Sequence, residues 1–348
     1  ALAELRTLGS GWRHPVRVRF LGLEGLEEAG VGEGVAKEFV VDVLKAGFDP
    51  NLGLFCAGAD GALYPNPAAQ LLVADALQLF ELLGAVLAKA LYEGILVEIP
   101  LASFFLNRLL GRVNTVNDLP SLDAQLYRSL LFLKHFEGDL SSLCLSFAVD
   151  EFVDAKLPLA ARRQVALRPG GAEVPVTREN RTEFIYRVAN YRLNAQMRRP
   201  SDAFLRGFEL VVPRSWITLF SPAELQLVLG GSDAPLNLDD WRAHTHYSGG
   251  YHATHPVVEA FWAVLGGFDP KQQAATLKFA TSCSRPPLLG FRWLQPSFCI
   301  HRASAEEGRL PTSATCMNLL KLPPYESYEA MRERLSYAVD AGAGFELS

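Results

Sequence analysis

The stretch Leu310-Pro311-Thr312-Ser313-Ala314-Thr315-Cys316-Met317-Asn318-Leu319-Leu320 sets a cysteine behind a run of small hydroxylic residues and in front of an apolar, strand-like segment. Small hydroxylic side chains pack little, so Cys316 reads as a thiol at a loop edge, open to solvent. Composition alone would not single it out, because free cysteines are usually buried hydrophobes. The five cysteines, Cys56, Cys144, Cys283, Cys299 and Cys316, are too sparse and irregular for a disulfide framework, and an odd number leaves at least one unpaired. They fit a reducing compartment, cytoplasmic or nuclear. No pair has CxxC spacing, which argues against a thiolate zinc site, and neither a metal nor another cofactor is expected.

Around that stretch the pattern is α/β. Strand-like segments fall at 298–301 and 317–322, and helices are predicted at 256–265, 271–281 and 327–341. In the last of these Tyr328, Met331, Leu335 and Ala338 share one face, and a tail, 342–348, closes the chain. Upstream, Gly230-Gly231-Ser232-Asp233-Ala234-Pro235 reads as a linker or hinge, so a domain boundary is placed there.

Before the hinge helix dominates. Apolar spacing predicts helices at 38–46 and 69–92, the latter burying Leu72, Leu79, Leu83, Val86, Leu87 and Leu91, with a turn-rich connector over 47–67. Further helices are predicted at 122–136, 178–197, 201–208 and 222–229. Extended segments are expected at 16–20 and 143–149, with a turn at Pro169-Gly170-Gly171. The fold class expected is α+β.

With 348 residues, 49% of them hydrophobic, the chain can bury a sizeable core and form two or more domains. Its 33 Lys and Arg against 38 Asp and Glu leave a net charge of -5, which gives no electrostatic reason to expect nucleic acid or an anionic membrane as partner. The charge-free stretch 243–258 holds four histidines, two glycines and a proline, and so is no membrane span. Because the chain begins at Ala1 without methionine or a cleavage-like site, it is expected to be a fragment of a longer protein.

The motif Leu-Pro-Thr-x-x-Thr-Cys-x-Asn about thirty residues from the C-terminus resembles the active-site signature of HECT ubiquitin ligases. Further resemblance to that family lies at Gly25-Leu26-Glu27-Glu28-Ala29-Gly30, Lys37-Glu38-Phe39, Leu63-Tyr64-Pro65-Asn66-Pro67, residues 84–90, Asp240-Trp241, Tyr247-Ser248-Gly249-Gly250-Tyr251 and Phe261-Trp262. Residues 283–291, 316–323 and the ending 344–348 look most like its proteasome-associated branch, which assembles polyubiquitin. Two departures stand out: Ala314 occupies a place where many members carry histidine, and Lys37 stands where Arg is common.

The resemblance implies a bilobal fold: a mainly helical N-lobe with small β elements over 1–229, a hinge over 230–238 containing Gly230, Gly231 and Ser232, and an α/β C-lobe over 239–348. It implies Cys316 as the nucleophile that carries ubiquitin as a thioester, in an active-site loop with Leu310, Pro311, Thr312, Thr315 and Asn318. Phe345 in the tail is implied as an anchor, and Glu346 beside it is a candidate for assisting deprotonation of the acceptor lysine. A groove that docks an E2 ubiquitin-conjugating enzyme is implied on a subdomain at about 119–205, at Leu126, Leu130, Phe136, Leu143 and Phe184, although Leu and Phe at helical spacing equally read as core. The implied partners are the E2, ubiquitin, protein substrates and the proteasome.

Thioester exchange needs no strong base, because one thioester replaces another of similar energy and the best attacking thiol has a pKa near ambient pH. Two other readings of the residues stay open. One is a scaffold that binds E2 or ubiquitin without transfer. The other is a ubiquitin-directed cysteine hydrolase, which needs a histidine beside the thiol, His301 being nearest in sequence. Among His244, His246, His252 and His255 sits no acidic residue or thiol that would favour a metal site, Cys283 and Cys299 read as structural, and Gly30-Val31-Gly32-Glu33-Gly34 lacks the context of a phosphate loop.

Overall fold

The computed structural model describes residues 9–14, 33–152, 162–305 and 309–341. The expected strand at 16–20, the motif at 25–30, residues 30–32 of the glycine-rich run and the tail with Phe345 and Glu346 lie outside them. The contacts divide the chain into two compact units. The first takes the described residues within Ala1–Trp12, Val43–Ala88 and Ile99–Leu225; the second takes those within Arg13–Asp42, Lys89–Glu98 and Gln226–Ser348.

The first unit is mainly helical, built on α1 (Glu33–Phe48, from Val43 on), α2 (Ala76–Tyr92, through Ala88), α3 (Ser103–Leu109), α4 (Ala124–His135), α5 (Arg181–Asn190) and α6 (Arg198–Glu209). Its centre is aromatic. Phe48 stacks on Phe55 at 4.1 Å, and Phe204 meets Phe48, Phe55 and Phe105 edge-on at 5.3 to 6.2 Å, geometries that the ring quadrupole favours. Phe55 stands on a two-stranded hairpin, β1 (Phe55–Ala57) with β2 (Leu63–Pro65), paired antiparallel. A second hairpin, β3 (Ala148–Phe152) with β4 (Arg162–Ala166), lies in the same unit as α4 and α5.

Several boundaries differ from the sequence expectation, each for a local reason. The helix expected over 69–92 is broken, because Val73 is extended and Asp75 takes φ +56°, a conformation Asp tolerates through its short polar side chain. Leu72 is therefore 50% exposed rather than on the buried face, which is carried by Phe80, Leu83, Val86 and Leu87. The strand expected from residue 143 starts at Ala148, since Asp139 caps a 3-10 turn over Leu140–Leu143 and Cys144 ends it at φ +50°. The helix expected over 178–197 is α-helical only for Arg181–Asn190 and continues as a π turn, Tyr191–Ala195.

The second unit carries a four-stranded sheet in the order β5 (His246–Ser248), β6 (Cys299–Arg302), β8 (Leu319–Leu322), β7 (Thr312–Ala314), where β5, β6 and β8 are parallel and β7 is antiparallel to β8. Further helices of this unit include α7 (Pro222–Gly230, from Gln226 on), α8 (Leu238–Ala243), α9 (Pro256–Gly266), α10 (Pro270–Thr281) and α11 (Tyr328–Asp340). Met331, Leu335 and Ala338 of α11 are fully buried with Ile300, Leu320 and Leu322 of the sheet, as a one-faced helix over parallel strands requires. Trp241 stacks on Phe291 at 5.1 Å, and Asp240 Oδ2 accepts the Phe291 amide at 2.8 Å.

In the first unit α2 and α6 touch backbone to backbone. A Cβ at Gly207 would run into the Glu81 carbonyl, and one at Gly84 into the Phe204 carbonyl. Neither obstacle is a flexible side chain, so the helices would have to separate. Gly207→Ala is expected to destabilise the chain by about 3 kcal/mol, at the upper end of overpacking costs, read as a lower urea midpoint; an unchanged midpoint would contradict this packing.

Candidate active site around Cys316

Cys316 sits at the tip of a hairpin. Strand β7 pairs with β8 through Thr312↔Lys321, Ser313↔Leu320 and Ala314↔Leu319, so only residues 315–318 make the connection. Thr315–Met317 form one 3-10 turn, closed by Asn318 N–H donating to the Thr315 carbonyl at 3.2 Å. Asn318 then takes φ +47°, the left-handed conformation that Asn adopts at lower cost than other residues with a Cβ. Pro311 and Asn318 are buried, Leu310 packs against the core, and Thr312, Thr315 and Cys316 are half-buried, while Met317 is 45% exposed. The thiol is thus neither sealed in the interior nor fully in solvent.

Asn318 is fully buried with both ends of its side chain engaged. Its Oδ1 accepts from Lys37 Nζ at 2.5 Å and its Nδ2 donates to the Pro296 carbonyl at 2.5 Å, while its own carbonyl accepts the Cys299 amide at 3.0 Å. Lys37 Nζ also donates to the Thr315 carbonyl at 3.2 Å. Lys37 belongs to the part of α1 that groups with the second unit. Sequence reading noted Lys37 only as part of a motif; a charge on a helix face gave no sign that it would be buried.

Desolvation pushes the Cys316 thiol above the ordinary cysteine value, and the Glu38 carboxylate adds to that. The Lys37 ammonium and the backbone N–H groups of Cys316 and Met317 oppose it. Among the described residues His301, the histidine nearest Cys316 in sequence, has its Nδ1 hydrogen-bonded to Ser248 Oγ at 2.9 Å. Three further histidines have structural partners too, His244 with Asp240 at 3.0 Å, His252 with Thr254 Oγ1 at 3.1 Å, and His255 as the cap of α9. Among the described residues no three His, Cys, Asp or Glu gather as a metal site, and no helix is long and apolar enough to cross a membrane.

The segment read as a hinge is tied down inside the second unit, where the division between units falls ahead of it, at Leu225. Gly231 has φ +87°, and a Cβ there would lie 2.7 Å from the Pro286 carbonyl. Ser232 N–H donates to that same carbonyl at 2.8 Å, Cys283 Sγ approaches the Gly230 carbonyl at 3.7 Å, and Asp233 pairs with Arg285 at 2.9 Å.

In the first unit the five apolar candidates separate by burial. Leu130 and Phe184 are core residues, Phe184 meeting Phe147 edge-on at 5.5 Å, whereas Leu126, Phe136 and Leu143 are half-buried. Beside them Phe132 is 62% exposed with its ring 5.3 Å from that of Phe136, and Tyr186 is exposed as well. An open cleft of about 460 Å³ lies next to Phe136, between 137–141 and 175–179.

Residues 41–348 match the family model of the HECT domain (ubiquitin-transferase). The chain belongs to the HECT family. It is 48% identical to E3 ubiquitin-protein ligase UPL6 of Arabidopsis thaliana over 97% of this chain and 33% of the relative. It is 40% identical to Ubiquitin-protein ligase E3B of Homo sapiens over 96% of this chain and 34% of the relative, and 37% identical to E3 ubiquitin-protein ligase HUL5 of Saccharomyces cerevisiae over 100% and 38%. This HECT chain therefore spans about a third of the length of the curated relatives it matches. Its α+β character, helices with small sheets, is that of the HECT domain.

All five cysteines are free thiols, in different surroundings. Burial pushes Cys283 up to about 12 and Cys56 up to about 11. A raised pKa means less thiolate at a given pH, and the thiolate is what alkylates. At pH 8 iodoacetamide is expected to modify half-buried Cys316 more than roughly tenfold faster than Cys283, measured by peptide mass spectrometry; equal rates would contradict the hairpin-tip geometry.

Proposed function

We propose that this HECT chain is the catalytic part of an E3 ubiquitin ligase that carries ubiquitin on Cys316. The observation that carries the reading is a half-buried cysteine at the tip of a stiff hairpin, in a chain of the HECT family. In the first step the Cys316 thiolate attacks the carbonyl of an E2–ubiquitin thioester, the tetrahedral adduct collapses, and the E2 thiolate leaves. In the second, the amine of a substrate or ubiquitin lysine loses a proton, attacks the new thioester and expels the Cys316 thiolate, leaving an isopeptide bond. Glu346 is the proposed proton acceptor and Phe345 the anchor of the tail that bears it.

Residues 1–229 are proposed as the N-lobe that receives the charged E2, with the subdomain at about 119–205 offering Phe136, Leu126 and Leu143 at its surface. Residues 230–238 act as the hinge and 239–348 as the C-lobe. Protein substrates and the proteasome are the further partners proposed, in the cytoplasm or nucleus. The His301–Ser248 hydrogen bond weighs against a cysteine hydrolase, because that histidine is engaged away from the thiol.

Incubating the chain with ubiquitin, activating enzyme, a panel of E2 enzymes and ATP is expected to give a band on a non-reducing gel that reductant removes. Cys316→Ala should abolish it and Cys316→Ser should give a reductant-resistant oxyester; loading that survives Cys316→Ala would overturn the reading. Replacing Gly230, Gly231 and Ser232 by proline removes the positive φ at Gly231 and the Ser232 N–H bond to Pro286. Single-turnover transfer is then expected to slow on the order of tenfold or more, with the circular dichroism spectrum retained; unchanged rates would rule out a hinge.

A further inference from the structure

Lys37 and Lys89 are the buried lysines of the second unit among the described residues, and Lys37 is the one that meets the turn bearing Cys316. It is 7% exposed, and a buried ammonium is strongly unfavourable unless its donors are met. Its Nζ meets two acceptors, the Thr315 carbonyl at 3.2 Å and Asn318 Oδ1 at 2.5 Å. Those residues stand immediately before and two after Cys316, so one ammonium brackets the turn that presents the thiol. Thr315 is also the residue whose carbonyl closes the turn, and Asn318 the one whose left-handed backbone lets the chain enter β8.

We propose that Lys37 is a positioning residue for the thiol of Cys316: its ammonium clamps both ends of the 315–318 turn and is the cation that stabilises charge on the sulfur when thiolate forms. This rests on the reading of Cys316 as the ubiquitin-bearing thiol. The atoms balance simply. The thiol proton goes to solvent, no proton leaves Lys37, and the ammonium lowers the energy of the anion without exchanging anything with it.

The neighbouring groups define what else acts there. Glu38, next along the helix, opposes Lys37 at the sulfur, and Cys283 is the other thiol that acts on Lys37. Helix α10 packs against the turn, and its Lys278 is bound to Glu98 at 2.9 Å. Burial lowers the Lys37 ammonium to about 8, with the two thiols pulling the other way, so it stays mostly protonated at neutral pH. After desolvation, the largest influence on Cys316, the charges acting on it are one cation and one anion on a single helix turn.

The test is the pH dependence of iodoacetamide alkylation at Cys316, followed by peptide mass spectrometry on the 348-residue chain. Lys37→Met removes the charge and keeps the side-chain bulk. It is expected to move the alkylation midpoint upward by about one pH unit, and to slow loading from a charged E2 at pH 7 by roughly tenfold. Lys37→Arg should return both close to the parent. A merely structural Lys37 would leave the midpoint in place while lowering stability. Should Lys37→Met not fold, Lys37→Gln, which retains an N–H donor without the charge, is measured instead and is expected to shift the midpoint in the same direction. An unshifted midpoint in the folded variant, or an upward shift that Lys37→Arg does not reverse, overturns the proposal. Because alkylation needs neither ubiquitin nor E2, it reads Lys37 even if the parent chain fails to load.

Discussion

The stiffness of a four-residue turn, residues 315–318, governs how this protein presents its thiol, and that stiffness is concentrated in Asn318. Its left-handed backbone lets the chain reverse within so short a connection, and its buried amide is satisfied at both ends by Lys37 and the Pro296 carbonyl. An unpaired amide at the same depth would cost about 1–3 kcal/mol and would loosen the turn. The parallel pair β6 and β8 completes the support, since Asn318 O accepts the Cys299 amide just where the ladder begins. Cys316 thereby projects from a rigid sheet edge, which suits the proposed meeting of this sulfur with an incoming thioester in a defined orientation.

The electrostatics of the tip leave the thiol above its ordinary value rather than activated. Desolvation and Glu38 raise the thiol, whereas Lys37 and two backbone N–H groups hold it down. Such a thiol is a minority thiolate at neutral pH yet a strong nucleophile once formed, because nucleophilicity grows with basicity. For the proposed exchange between thioesters of similar energy that compromise is adequate, and such an exchange needs no imidazole beside the sulfur. His301 serves the sheet instead, through Ser248.

The first unit obeys a different constraint. Its helices are packed to backbone contact at Gly84 and Gly207, and its aromatic centre locks α1, α2, α3 and α6 around Phe55 and Phe204. That leaves its apolar side chains divided sharply into core, such as Leu130 and Phe184, and surface, such as Phe132. The segment 230–233 is similarly specified, since the positive φ of Gly231 and its closeness to Pro286 admit no side chain.

Much was legible in the sequence because it depends on neighbours in the chain. The one-faced helix with Met331, Leu335 and Ala338, though not Tyr328, which is exposed, the strand at 298–301, the turn at Gly170-Gly171 and a reachable Cys316 at a loop edge all follow from periodicity and side-chain size within a few residues. The E2-groove candidates could not be resolved that way, because Leu126 and Leu130 lie four positions apart on one helix face and only the packing around it decides that Leu130 is buried and Leu126 half-exposed. Nor was the break at Asp75 visible, since a single left-handed residue leaves the apolar spacing on either side intact. The contact between Lys37 and Asn318 spans 281 positions of sequence. No local pattern encodes it: a lysine's burial is set by what packs over its ammonium, and that is decided only when distant segments fold together.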